Sequence, residues 1–347
     1  MEVHSGGNSP SMEESKTAMR LSCLVYDENA AKDLPNDFNH VDYTRYGQNY
    51  CLIAGCGDQL YIAIRGSYNF NDAVCDANIL PVSFNYQKDE SYNQRLLKSV
   101  SAHVWTMLGA CEHLACEHQP PVHQASAALA HKGFLLRAIE FPLESILEEY
   151  IVRGPYSPEK VIVCGHSLGG AIALLSVARL LHFSPDKFGN QIRAIGVGAP
   201  YVGTESLRKV LAETRIASNL FTVVVDGDIV PASLEAGNDF KAQLSDSLFP
   251  GEGWGSQLLK FAIINEEKEY VPIGQYMFLH SDECPAYFSS GWLTDLKLIR
   301  RMLQRNAIMV NQLPAKSLRL IEGIWNHLQF QYEEFASSAS WEIRNLH

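Results

Sequence analysis

The sequence predicts an α/β fold built around a mostly parallel β-sheet. The chain has 347 residues, of which 46% are hydrophobic and 19% charged, a composition typical of globular proteins and not of disordered or fibrous ones. Short runs rich in Val, Ile and Leu at 160–164, 192–197 and 220–225 alternate with helical patterns at 170–181 and 204–213. Because alternating strands and helices connect through right-handed crossovers, we expect these strands to lie parallel.

The regions on either side of this segment have less regular patterns. We expect residues 1–11 to form a loose tail, and a hydrophobic stripe predicts a helix over 12–31. No internal repeat or change of composition divides the chain, so a single domain over 12–338 is the simplest prediction. The other predicted elements are strands at 50–54 and 59–65, helices at 96–114, 132–151, 292–309 and 316–338, a loop at 237–255, a hairpin of 270–279 with 286–289, and a C-terminal tail at 339–347.

Charge and cysteine content argue against several classes of function. The net charge of −11 argues against nucleic acid as a partner and against long-range attraction to anionic membranes. The eight cysteines form no CxxC pair, so we expect no metal site. The N-terminal segment lacks the apolar core of a signal peptide, and glycines interrupt the uncharged stretch 161–178, so a cytoplasmic protein with reduced thiols is predicted.

The sequence VIVCGHSLGGAIALL carries the strongest indication of chemistry. In it Gly165, Ser167 and Gly169 form a Gly-x-Ser-x-Gly pattern between a β-branched run and an apolar helix. A nucleophile elbow requires this context, because glycines clear the crossing elements while the strained turn points the serine hydroxyl into open space. Ser167 is therefore the candidate nucleophile. The alternative is a glycine-rich turn without catalytic function.

A serine nucleophile needs a base and a carboxylate that orients the base. Asp226 and Asp228 both follow the third predicted strand, and Asp228 is preferred because the Ile-Val-Pro after it would fix the loop. Three histidines come later in the chain, namely His280, His327 and His347. His347, at the last position, is expected to be frayed, and the residues alone do not separate His280 from His327.

Four motifs taken together resemble those of class 3 lipases, the group of fungal triacylglycerol lipases and related diacylglycerol lipases. The motifs are IAIRGS, HKGF, GHSLGGAIALL and VVVDGDIVP, in this order. The resemblance implies an α/β-hydrolase fold with helices on both faces of the sheet. It also implies a helical insertion or lid, which the extra chain length here places at about 80–130.

The resemblance also assigns roles to individual residues. Ser67 and the backbone N–H of Leu168 match the oxyanion-hole donors, and Asp228 matches the acid. The base matches His327, because NHLQFQY is similar to the family's histidine segment. His280 stays the alternative, since it lies closer to the acid in sequence, as in compact family members. His166 and Gly170 also match residues of the family's nucleophile elbow. His131 and Asp76 match family residues that are expected to have structural roles.

These assignments predict a serine ester hydrolase that cleaves mono-, di- or triacylglycerol-type lipid esters through an acyl-enzyme. The reaction would need no metal or cofactor, and the lipid or ester substrate would be met at a membrane or droplet surface. Two alternatives stay open. One is a catalytically silent lipase-like scaffold, as in the related plant immune lipase-like proteins; the other is a soluble esterase or acyltransferase for small substrates.

Overall fold

The computed structural model arranges the chain in two β-sheets, with helices packed against both faces of the larger one. The structure describes residues 9–29, 34, 38–66, 81–85, 128–154, 157–189, 191–225, 228, 231, 270–280, 287–288, 292–311, 332, 336–337 and 342–343.

The strands and helices follow one another along the chain in an alternating order. The strands are β1 (Phe38–Tyr46), β2 (Asn49–Cys56), β3 (Gln59–Ile64), β4 (Pro81–Ser83), β5 (Leu129–His131), β6 (Lys160–His166), β7 (Ile192–Val197), β8 (Gly203–Thr204), β9 (Leu220–Val225), β10 (Tyr270–Val271), β11 (Gln275–His280), β12 (Tyr287–Phe288) and β13 (Glu342–Ile343). The α-helices are α1 (Met12–Leu24), α2 (Lys132–Glu140), α3 (Leu143–Leu147), α4 (Leu168–Phe183), α5 (Pro185–Phe188), α6 (Glu205–Glu213) and α7 (Leu296–Asn311). A π-helical turn covers Glu148–Val152, and a 3₁₀ turn covers Ile216–Asn219.

The larger sheet has a parallel centre. Over the described residues its strand order is β1-β2-β3-β6-β7-β9-β11-β12-β13, and β3, β6, β7, β9 and β11 run parallel. This confirms the predicted mostly parallel sheet. Antiparallel pairing occurs towards the edges, between β1, β2 and β3 and between β11 and β12. Because parallel strands end at the same edge, the loops that follow β6, β7 and β9 meet there.

Helices cover both faces of this sheet, as predicted. Helix α4 packs on one face with side chains such as Val163 and Ala194, and helix α1 packs on the other with Cys164 and Ile195. Successive side chains of a strand point to opposite faces, so the central strands are buried on both sides. This double burial explains why they occur in the sequence as unbroken apolar runs.

Several predicted elements differ from the structure in their extent. The predicted helix 132–151 is interrupted at Phe141, whose φ of −80° and ψ of 113° are extended, because Pro142 follows and disfavours a helical conformation before it. The predicted strand 270–279 is two strands, β10 and β11, that join different sheets on either side of Gly274. Strand β1 is missing from the prediction, since its side chains are mostly half-buried and show no strong alternation.

The predicted insertion at 80–130 lies largely outside the described residues. Its two described ends meet, because β4 pairs antiparallel with β5 and the N–H of Phe84 donates to the carbonyl of Ala128 at 2.8 Å. The predicted tails at 1–11 and 339–347, the loop at 237–255 and the helix at 316–338 also lie wholly or mostly outside those residues. Among the helices that the structure describes, none combines the length and the apolar character needed to cross a bilayer.

A buried carboxylate fixes helix α1 to the sheet. Glu14 forms a capping box with Ser11, in which each side chain accepts a hydrogen bond from the other residue's backbone N–H. The same carboxylate accepts from Lys160 Nζ at 2.8 Å and from Arg193 Nη1 at 3.3 Å. Burial alone raises the pKa of Glu14, but the bonds from Lys160 and Ser11 and the charge of Arg193 outweigh it, so the pKa lies below its ordinary value.

Replacing this carboxylate should destabilise the protein in a pH-dependent way. We expect Glu14→Gln to lower the free energy of unfolding at pH 7 by about 3 kcal/mol, because Arg193 would stay buried without its counter-ion. Since the folded-state pKa of Glu14 is depressed, its contribution is present above the unfolded-state pKa of about 4.3 and is lost as the pH falls through the folded-state pKa.

Urea unfolding of wild type and Glu14→Gln between pH 3 and pH 7 measures this effect. The difference between the two proteins should shrink towards acid pH. The exposed neighbour Glu13→Gln is the matched control and should change stability by less than about 0.5 kcal/mol. A Glu14→Gln effect no larger than that of Glu13→Gln would contradict the role of the buried carboxylate.

Candidate active site

Ser167 stands between strand β6 and helix α4 in a strained backbone conformation. Its φ and ψ are 55° and −123°, outside the regions that L-residues normally occupy. Its N–H donates to the carbonyl of Val197 on the neighbouring strand β7 at 2.9 Å. In the described part of the chain, Arg215 is the one other non-glycine residue with a positive φ. The strained residue thus lies where the sequence predicts a nucleophile elbow.

Three glycines let β3, β6 and α4 approach one another at this turn. A Cβ on Gly165 would lie 2.6 Å from the carbonyl oxygens of Gly169 and Ile64. A Cβ on Gly170 would lie 2.7 Å from the carbonyl oxygen of Gly165 and 2.9 Å from the Cβ of Ala199. At Gly169 the carbonyl oxygen of Ile64 stands even closer to the Cβ position. Any side chain here would therefore push helix α4 away from the sheet and relax the turn.

The elbow offers unpaired amide groups to an anion. Leu168 is the first residue of α4, so its N–H belongs to the helix N-terminal amides that have no partner within the helix. These amides and the helix dipole favour negative charge at this position. Ser67, the other predicted oxyanion donor, lies outside the described residues. Gly66, the residue before it, packs beside the elbow against the carbonyl of His166 and the hydroxyl of Tyr26.

Asp228 follows strand β9 and is buried, with only 1% of its surface exposed. Its N–H donates to the carbonyl of Val225 at 3.0 Å. Its Oδ2 accepts a hydrogen bond of 2.6 Å from the hydroxyl of Tyr332, which itself accepts from the N–H of Val225 at 3.1 Å. The alternative acid, Asp226, lies outside the described residues. The Asp228 carboxylate is therefore held by a buried donor at the sheet edge where strand β6 leads into Ser167.

The Tyr332 phenol remains a donor over the whole physiological pH range. Burial raises the pKa of Tyr332 well above its ordinary value, and the charge of Asp228 and the hydrogen bond to it add to the shift. Gly198 makes room for this contact, since a Cβ there would lie 2.5 Å from Asp228 Oδ2 and 3.0 Å from the Tyr332 hydroxyl. Gly198 also has a φ of 56°, which favours glycine.

Two buried histidines, His166 beside the nucleophile and His131 at the start of helix α2, have structural contacts. His166 is hydrogen-bonded through Nδ1 to the hydroxyl of Tyr26 at 3.2 Å, and its ring packs edge-on against Tyr332 at 5.6 Å. Burial lowers the pKa of His166 to about 4, so the ring is neutral at pH 7. His131 accepts at Nδ1 from the N–H of Phe134 and caps helix α2, which agrees with the structural role expected for it. Burial lowers the pKa of His131 to about 3.

Described residues close in sequence to each candidate base lie near the acid. His280 ends strand β11, where the preceding Leu279 pairs with Val225, so the backbone of His280 lies at the same sheet edge as Asp228. His327 lies outside the described residues, as does the predicted structural residue Asp76. Tyr332, which contacts the acid, comes five residues after His327, and five residues span at most about 17 Å.

Comparison with known proteins identifies the family. The family model described as Lipase (class 3) matches residues 61–236, slightly more than half of the 347 residues. The chain belongs to the class 3 lipase family. This confirms the resemblance predicted from the four motifs, and the parallel sheet with its elbow is the α/β-hydrolase arrangement that the resemblance implies.

The individual relatives of this chain are either distant in sequence or similar to it over only a short stretch. A stretch of 128 residues is 34% identical to Lipase-like PAD4 of Arabidopsis thaliana, over 34% of this chain and only 23% of that protein's length. Among solved structures, a Rhizomucor miehei triacylglyceride lipase is 19% identical over 84% of this chain and 90% of its own, with a TM-score of 0.49. A triacylglycerol lipase whose catalytic centre is a serine protease triad is 19% identical over 86% and 94%, with a TM-score of 0.48.

Sequence reasoning does not assign the residues that support the acid. Neither Gly198 nor Tyr26 has a role in the sequence analysis, and Tyr332 enters it only as part of the NHLQFQY segment. A usable signal exists for Gly198, because it follows the buried run 192–197 directly and lies one strand away from Asp228. The contact of Tyr332 has no local signal, since more than 100 residues separate it from the acid.

Replacing Gly198 should destabilise the protein more than replacing a glycine that has only a left-handed backbone conformation. We expect Gly198→Ala to lower the free energy of unfolding by about 3 kcal/mol or more, because the added methyl group collides with the Asp228–Tyr332 pair. Gly47→Ala is the matched control, since Gly47 has a φ of 61° with open space at its Cβ position. It should cost only about 1 kcal/mol. Equal losses for the two variants in urea unfolding would argue against the collision.

Proposed function

We propose that this class 3 lipase hydrolyses carboxylic esters of lipids through an acyl-enzyme formed on Ser167. The observation that carries the proposal is the strained position of Ser167 at the start of α4, with a buried, hydrogen-bonded carboxylate, Asp228, at the same edge of the sheet. A strained serine beside helix N-terminal amides suits attack on a carbonyl group, because the amides can stabilise the oxyanion that forms.

The proposed reaction has two halves. In the first, the base takes the proton of the Ser167 hydroxyl while its Oγ attacks the ester carbonyl carbon, and the resulting oxyanion expels the alcohol, which receives the proton from the base. In the second, the base takes a proton from water, whose oxygen attacks the carbonyl carbon of the acyl-enzyme. The bond between that carbon and Ser167 Oγ then breaks, the carboxylic acid is released, and the base returns its proton to Oγ. The Leu168 N–H and Ser67 would hold the oxyanion in both halves, and loss of one such donor costs about 10²–10³ in kcat.

We assign the base to His327, with His280 as the alternative. The Tyr332 contact supports this assignment, because Tyr332 comes only five residues after His327 and lies within hydrogen-bond distance of Asp228. The acid would orient the imidazole and stabilise its protonated form. Tyr332 would act on the acid, since its hydroxyl fixes one carboxylate oxygen and thereby the plane in which the other is presented.

The proposed substrates are acylglycerol-type lipids at a membrane or droplet surface. Family membership supports a lipid or ester substrate. The net charge of −11 makes an uncharged surface a better partner than an anionic one. This mechanism requires no metal or cofactor.

We further propose a single domain over 12–338 in which the segment at about 80–130 serves as a lid. The described ends of this segment pair as β4 and β5.

A binding scaffold without catalysis is the second candidate. The observation that favours it is the match to a protein named lipase-like, over 128 residues that are 34% identical. Such a protein would keep the fold and the Asp228–Tyr332 contact for stability while Ser167 stayed unreactive. The two candidates differ in one measurable property, the reactivity of the serine.

Labelling with a fluorophosphonate probe tests the proposal. We expect the wild type to be labelled at Ser167, because the probe needs an activated serine and an oxyanion hole. Labelling should be lost in Ser167→Ala and His327→Ala and kept in His280→Ala, with hydrolysis of acylglycerols lost in the same variants. If His280→Ala abolishes labelling and His327→Ala does not, the base is His280. Absence of labelling in folded wild type would favour the scaffold.

Removing the Tyr332 hydroxyl should slow the reaction without weakening substrate binding. We expect Tyr332→Phe to lower kcat by about tenfold and to leave KM nearly unchanged, because a hydrogen bond to a charged group is worth about 1.5–3 kcal/mol and this one acts on the acid. Steady-state kinetics on a soluble ester measure the effect. Tyr43→Phe, which loses a hydrogen bond to the carbonyl of Val25, is the control. A fall in kcat of equal size in both variants would assign the loss to general destabilisation.

A further inference from the structure

A second binding site is suggested at the far end of helix α4, away from Ser167. A cleft of about 210 Å³ opens there between the C-terminal part of α4 and the connection from α2 to α3. Its apolar lining includes Ile139, Leu180 and Phe183, and Phe183 is 46% exposed, although most large apolar side chains of the described chain are buried. Arg179 lies eleven positions after the first residue of α4, which corresponds to about 16 Å along the helix, so the cleft is separate from the elbow.

One wall of the cleft holds a buried hydroxyl in need of a partner. Ser176 lines the cleft and is 4% exposed, and within the described residues its Oγ makes no hydrogen bond. A buried hydroxyl without a partner is costly, and a serine within a helix commonly avoids the cost by bonding to the carbonyl four residues earlier. The Oγ itself is covered from solvent, so a ligand in the cleft receives its hydrogen bond only when the Ser176 side chain turns towards the cleft.

Arg179 lies on the same face of α4, three residues after Ser176. Its Nη1 donates to the carbonyl of Phe84 at 2.6 Å, and its guanidinium carbon lies 5.0 Å from the centre of the Phe183 ring. No acidic side chain among the described residues forms an ion pair with it, and burial lowers the pKa of Arg179 from its ordinary value. A guanidinium has five N–H donors, so donors remain beyond the one that the Phe84 carbonyl uses.

The acidic residue at the rim of the cleft does not oppose an anion. Glu144 lines the cleft, but its carboxylate accepts a hydrogen bond from Lys187 Nζ at 2.9 Å. The same ammonium group binds Glu148 at 2.6 Å. Arg179 therefore dominates the charge that an entering ligand meets in the interior of the cleft.

We infer that this cleft binds the carboxylate group of an aliphatic acid. Arg179 binds the carboxylate oxygens, Ser176 turns its hydroxyl towards them, and the first methylene groups of the ligand pack against Leu180, Ile139 and Phe183. An aliphatic carboxylate is also the chemical class that hydrolysis of a lipid ester releases, so the site would sense product if the proposed function holds. The binding itself needs neither Ser167 nor the triad, and it is tested in protein that cannot hydrolyse esters.

Calorimetric titration of the full chain carrying Ser167→Ala, with octanoate and with octan-1-ol, tests the site. We expect octanoate to bind at least tenfold more tightly than octanol, and Arg179→Met to remove this preference while octanol binding stays unchanged. Ser176→Ala should weaken octanoate binding by about threefold to tenfold, as expected for one hydrogen bond. Arg208→Met is the matched control, because Arg208 is a cation on helix α6 that pairs with Glu205, and it should have no effect.

Two further measurements keep the test decisive. If Arg179→Met does not fold, as judged by circular dichroism, Phe183→Glu places an opposing charge on the exposed rim instead and should weaken octanoate binding at least tenfold. Raising the salt concentration from 50 to 500 mM should weaken the binding of octanoate but not the binding of octanol. The inference is overturned if octanoate does not bind, if octanol binds equally well, or if Arg179→Met and Phe183→Glu leave octanoate binding unchanged. None of these results depends on whether Ser167 is reactive in the wild type.

Discussion

The close approach of helix α4 to strands β3 and β6 is the constraint on which the candidate active site depends. Gly165, Gly169 and Gly170 bring backbone against backbone at this crossing, where any Cβ would collide with a neighbouring carbonyl or side chain. The crossing leaves Ser167 no relaxed conformation, because β6 must end and α4 must begin within one residue of it. Contacts with the surrounding sheet fix the position of the turn, and therefore the strained conformation of Ser167 persists. The burial of the apolar side chains of α4 against the sheet supplies the free energy that offsets this strain.

The acid is held by a different kind of interaction. Its support comes from a residue far along the chain, Tyr332, whose buried hydroxyl connects the Asp228 carboxylate to the backbone of strand β9. His166 packs against Tyr332 and is hydrogen-bonded to Tyr26, so the turn that follows helix α1, the elbow and the residue that holds the acid share one aromatic cluster. The conformation of the elbow is therefore fixed by short-range backbone geometry, whereas the position of the Asp228 carboxylate is fixed by tertiary contacts.

This difference explains what the sequence could predict. The parallel strands β6, β7 and β9 have strong local signals, namely unbroken apolar runs, and their prediction agrees with the structure. The predicted nucleophile elbow also has a local signal, the glycine pattern between a strand and a helix. Strand β1 has no such signal because both of its faces are only partly buried. Pro142 was available as a signal and breaks the predicted helix 132–151 for a known steric reason. The choice between His280 and His327 depends on how distant segments meet, which no local pattern encodes, and Tyr332 contributes a constraint that only the folded chain supplies.

The carboxylate of Glu14 has a consequence for the order in which the chain can fold. It caps its own helix through Ser11, three positions earlier, and binds Lys160 and Arg193, which are 146 and 179 positions later. The complete ion cluster of Glu14 therefore forms only when β6 and β7 are paired, because only then do both cations lie side by side. Contacts of such high sequence separation form late and slow the folding of a domain. During synthesis, this cluster could not be completed until the chain had been made as far as Arg193, 179 positions after Glu14.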